Sequence, residues 1–127
     1  MTYGFSKKVS LSFEQAIEKV TEELKKEGFG VLTTIDIQAT LKNKIGADIP
    51  KYTILGACNP HFSHQAVQVE QEIGLLLPCN VIVYEKAAAV HVSIFDPMVM
   101  EKIIDNPAMQ PVAEGVYQKL RRVFDAL

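Results

Sequence analysis

Cys58, Asn59, Pro60 and His61 stand together near the middle of the chain, and His64 follows three residues on. Asn-Pro marks a helix start: asparagine can cap, and proline suits the first helical position, where its missing N–H is no loss. A cysteine just ahead of such a helix meets free backbone N–H groups and the positive end of the helix dipole, and both favour a thiolate. His61, in the first turn, is placed to approach that sulfur. The Cys-x-x-His spacing lets two soft or borderline ligands meet one metal. Cys79 enters a second apolar segment. If that entry abuts the end of the strand before Cys58, the two sulfurs share a rim.

Three chemistries fit these residue types. A zinc-like divalent metal takes Cys58 and His61, with Cys79, His64 or water completing the set. A redox pair needs the two sulfurs in disulfide reach, with Cα atoms about 4.4–6.8 Å apart. A nucleophilic thiolate needs Cys58 alone, with His61 as its partner. A structural reading competes with all three. Cysteine is among the most buried residue types, and either thiol can serve as a small core hydrophobe. On that reading His61 and His64 lie on a solvated helix face, and Asn59 and Asn80 tie loop backbones. His91, between Val90 and Val92, is a sheet-face histidine, and Asp96 is a helix cap. Met98, Met100 and Met109 pack among core positions. The sequence does not decide whether the chain is an enzyme.

Several function classes are disfavoured. Thirteen Lys+Arg against 15 Asp+Glu give a net charge of −2, which is no footprint for nucleic acid or an anionic membrane. The chain has no Trp, four Tyr and no basic-aromatic cluster, so it offers no stacking platform for single strands. It also lacks the phosphate-cradling, dinucleotide-binding, nucleophile-elbow, H-E-x-x-H and C-x-x-C patterns. The first residues carry no apolar run of the length a signal peptide needs, and no stretch approaches the roughly 18 apolar residues of a membrane span. The expectation is a cytoplasmic protein with free thiols. At 127 residues, 48% of them hydrophobic, the chain is one domain spanning 1–127.

The elements that must position Cys58 follow from periodicity. Residues 3–9 read as a short strand. Ser12 and Gln15 form a capping box, and Phe13, Ala16, Ile17, Val20 and Leu24 make one helical stripe, with Glu22 and Lys26 paired on the wet side. Gly28 stops that helix. Phe29–Ile37 alternates as a strand with Phe29, Val31, Thr33, Ile35 and Ile37 on one face. A turn or two of helix over Gln38–Ile45 and a loop over Gly46–Lys51 lead to a strand at Tyr52–Ala57. The helix from Pro60 runs to about Gln71. Leu75–Tyr84 contains a strand, and Ala88–Phe95 returns from a hairpin turn at Glu85-Lys86 and the alanines. Met98–Ile104 is a short helix. A final helix carries Val112, Val116, Leu120, Val123 and Leu127 on its apolar stripe.

Strands and helices thus mix, and a hairpin is present. That predicts an α+β, two-layer fold with a largely antiparallel sheet of about five strands and helices packed on it. The segments Ile54-Leu55-Gly56-Ala57-Cys58-Asn59-Pro60, Gly74-Leu75-Leu76-Leu77-Pro78-Cys79-Asn80-Val81 and Asp96-Pro97 resemble domain-of-unknown-function family 302 over essentially the whole chain. The resemblance implies a TATA-binding-protein-like β-α-β4-α arrangement and homodimers, with the family's motif cysteines at Cys58 and Cys79. It implies no activity. The functional expectation is a Cys58/Cys79 rim that binds a metal or a small thiol-reactive ligand. The alternatives are thiol-dependent sulfur or redox catalysis at Cys58, and a purely structural domain.

Overall fold

The capping box at Ser12 starts the first helix as the sequence dictates. The Ser12 hydroxyl accepts from Gln15 N, and the Gln15 side chain accepts from Ser12 N, both at 3.1 Å. A computed structural model describes residues 1–127. In chain order the elements are β1 (Gly4–Val9), α1 (Phe13–Lys26), β2 (Gly30–Asp36), α2 (Ile37–Ile45), β3 (Tyr52–Cys58) and α3 (Pro60–Val69). A 3-10 helix (Gln71–Leu76), β4 (Cys79–Lys86), β5 (Ala89–Phe95), α4 (Met98–Ile103) and α5 (Met109–Asp125) complete the chain.

The five strands form one antiparallel sheet in the order β1-β5-β4-β3-β2. The α+β class, the strand count and the antiparallel pairing are as the sequence predicts. The sheet is open, with β1 and β2 at its edges. Strand alternation sends Leu55, Ala57, Cys79, Val81, Val83, Val90, Val92 and Ile94 to one face. There they pack with Val20 and Leu24 of α1 and Val116, Leu120 and Val123 of α5 in the main core. A second cluster joins Ala66, Ile73, Met100, Met109, Val112 and Ala113 beyond the end of the sheet. Phe62 touches both clusters. It lies so close to α5 that a Cβ on Gly115 would come within 2.5 Å of its ring.

Helix α1 ends in a Schellman motif. Gly28 adopts φ +83°, its N–H bonds Lys25 O at 3.1 Å, and Phe29 N bonds Leu24 O at 3.0 Å. The wet-side pairing differs from expectation: Lys26 pairs with Glu23 at 2.7 Å rather than with Glu22, and Lys19 joins the same carboxylate. The alternation read for residues 29–37 is also corrected. A bulge between Val31 and Thr33 adds one residue to β2. Beyond it Thr33 and Ile35 turn to the uncovered face, because Thr33 pairs with Gly56 and Ile35 with Ile54. The helix after Pro60 stops at Val69. Within Leu75–Tyr84 the strand begins at Cys79, at the Pro78-Cys79-Asn80 entry, while Leu75 sits in the 3-10 helix and is 85% exposed. No helix is long and apolar enough to cross a membrane.

Candidate functional site

β3 carries the chain to Cys58, and Asn59 and Pro60 turn it into α3. The junction is held from behind. Asn59 is buried, and instead of capping α3 its amide Nδ2 donates to Glu27 O at the end of α1, 3.2 Å away. Glu27 is itself gripped by Arg122 of α5, whose Nε lies 2.9 Å from its carboxylate. The left-handed turn at Gly28 lies against this amide, since a Cβ there would sit 3.1 Å from Asn59 Nδ2. Asn59 thus ties the residue after Cys58 to the end of α1, which the Glu27–Arg122 pair links on to α5. Its Oδ1 is buried without a partner.

Cys58 is half-buried and free. Its sulfur lies 3.0 Å from Ser63 Oγ, where either group can donate. Ser63, not His61, is therefore the partner the fold supplies. Nothing in the residue-type reasoning singled it out, yet a spacing signal exists. Cys58 precedes the cap and Ser63 is the fourth residue of α3, the two positions that pack together in a helix staple. No side chain caps the first turn of α3, so its dipole and open amides still favour negative charge beside it.

Cys79 is adjacent but turned away. Ala57 is its direct partner across β3 and β4, so Cys58, one residue on, points to the opposite face. The shared rim is thus a pair of neighbours back to back, and the redox-pair geometry is not formed. Cys79 is 6% exposed and lines the main core. Burial, with the nearby Cys58 as a lesser contribution, pushes its thiol up to about 12. It remains a protonated thiol at neutral pH.

His61 and His64 are exposed on the outer side of α3. No three His, Cys, Asp or Glu side chains converge anywhere in the molecule. The expected metal set of Cys58, His61, His64 and Cys79 therefore does not assemble: the two thiols face apart and the imidazoles point to solvent. His91 behaves as a sheet-face residue and stacks on Tyr84, with ring centroids 5.1 Å apart. Asp96 accepts from Met98 N, the first amide of α4, at 2.9 Å, one position ahead of the cap residue Pro97. Met100 and Met109 are core residues.

The model of the family described as Domain of unknown function DUF302 matches residues 5–127. Among solved structures, the chain is similar to an uncharacterized conserved protein DUF302 from Bacillus stearothermophilus. The two share 25% identity with a TM-score of 0.92, over 99% of this chain and 98% of that one. No curated protein matches the sequence.

Proposed function

We propose, from the premise that this chain belongs to the DUF302 family, that the domain presents Cys58 as a reactive thiol that captures a small electrophilic or soft ligand. One observation carries the reading: the half-buried sulfur of Cys58 lies 3.0 Å from the Ser63 hydroxyl at the uncapped start of α3. A hydroxyl that donates to sulfur stabilises the thiolate, and the helix end adds to it. Cys79 contributes bulk and not chemistry.

Alkylation by iodoacetamide tests this. The Cys58 thiolate displaces iodide, an S–C bond forms, and the thiol proton leaves to solvent. The folded protein is expected to take up one label, at Cys58, about tenfold faster than a free peptide thiol at the same pH. Ser63→Ala should slow the reaction several-fold, and Cys58→Ser should abolish it. A native rate equal to or below that of the free peptide thiol overturns the proposal.

Homodimers belong to the same reading, and the edge of β2 is the surface that favours them. The β1 edge is guarded by Lys7 and Lys8, whereas residues 31–35 of β2 carry no charge and expose Leu32 at 68% and Ile35 at 44%. Two copies of such an edge pair antiparallel about a two-fold axis. Sedimentation should show a dimer that Leu32→Lys dissociates. A wild-type monomer at all concentrations removes the dimer and leaves the thiol reading intact.

A further inference from the structure

Helices α1 and α5 cover one face of the sheet, and the other face carries side chains in rows set by the strand register. One row is Tyr52, Tyr84 and His91, directly paired across β3, β4 and β5. Their rings stack, with centroids 5.7 Å apart for the tyrosines and 5.1 Å for Tyr84 and His91. The next row is smaller: Ser6 pairs with Ser93, and Ser93 with Ile82. The two hydroxyls are 2.6 Å apart. Beyond it stand Phe95 and Tyr3. Small side chains between two bulky rows leave a trough of about 480 Å³, and Asn80 adds an exposed amide at its side.

We infer that this trough is a binding site, separate from Cys58, for a neutral, flat aromatic molecule. Its size and its mixture of aromatic walls with a few polar groups match ligand sites in general. The electrostatics select the ligand. None of the lining side chains is charged, whereas the other main concavities are lined by charged groups such as Glu18, Lys19, Asp105 and Lys42. A charged ligand would lose hydration here with no counter-charge among the lining side chains, since Lys8, paired with His91 at the end of the aromatic row, stands outside the trough. A neutral ring gains stacking and edge contacts from Tyr84, Phe95 and Tyr3. The serine hydroxyls and the Asn80 amide serve a single polar substituent.

The test uses N-phenyl-1-naphthylamine, a neutral dye that brightens in apolar surroundings, with the full chain. Saturable binding is expected. Ser93→Arg, which fills the floor and adds charge, should weaken it about tenfold or more. Ile45→Lys, at the exposed end of α2 and outside the trough, should leave it unchanged. If Ser93→Arg fails to fold, Ser6→Arg on the exposed edge strand asks the same question. Absence of saturable binding, or binding indifferent to these arginines, overturns the inference. So does a wild-type dimer that Ser93→Arg dissociates, since a second copy then occupies the trough. None of these outcomes bears on Cys58, which does not line the trough.

Discussion

Replacing Gly56 by valine is expected to destabilise the domain by about 1–3 kcal/mol, a fall in Tm of roughly 3–10 °C. Gly56 faces the uncovered side of β3 opposite Thr33. A Cβ there would run into Thr33 Oγ1 and come within 2.8 Å of Pro78 Cγ. The threonine hydroxyl can rotate away, but the proline ring is rigid and leads directly into β4. Relief must therefore come from moving strands, and the residue two places on is Cys58. The variant should accordingly also change the alkylation rate of Cys58. Gly30→Val is the matched control in the neighbouring strand, because a Cβ there meets nothing within 4 Å. Thermal melts of the two variants side by side decide the matter. Equal stability would show that the contact between Gly56 and Pro78 is not restrictive.

The second large effect is a loss of stability in alkali. The Cys79 thiol is held at about 12, against 9.0 for an unburied cysteine, chiefly by desolvation. The sign follows from linkage. Between these values the unfolded chain has released the proton and the folded chain still holds it, so the unfolded state binds fewer protons and stability falls as pH rises. The slope approaches about 1.4 kcal/mol per pH unit once pH exceeds the unfolded value, and Cys79 adds nothing below it. Tyrosines and lysines titrate in the same range, so the informative quantity is a difference. Urea unfolding at a series of pH values from about 8 to 10.5 should show wild type losing stability more steeply than Cys79→Ala, which is less stable at pH 8 because it leaves a cavity. Parallel curves would mean that the thiol is not sequestered in the folded state.

Much of this arrangement is legible in the chain. The capping box, the Schellman glycine and the stripe through Val112, Val116, Leu120 and Val123 are local signals, and local physics decides them. What escapes depends on partners. The bulge at Leu32 leaves no mark on the alternation of β2, because only the register against β3 shows that one residue is extra. Composition places a strand within Leu75–Tyr84, but nothing local marks the 3-10 helix that takes up its first residues, and strand pairing begins only at Cys79. Asn59 has the right type to cap α3, but the carbonyl of Glu27, distant in sequence, claims its amide. At the site, sequence spacing singles out Cys58 and pairs it with His61, whereas the fold sets Ser63 beside its sulfur. His61 is nearer in the chain, but helix geometry turns it outward and brings Ser63 inward. Cys79 is close to Cys58 along the sheet, and strand alternation, invisible without the register, sets them on opposite sides.

The Tyr52–Tyr84–His91 ladder also gives the molecule an intrinsic chromophore. The chain has no tryptophan and four tyrosines, and two of those four are held face to face in a fixed, chiral arrangement. Such rigidly oriented rings dominate near-ultraviolet circular dichroism, a signal that vanishes when tertiary packing loosens. The uncovered face can thus report optically on its own occupancy, without an attached dye.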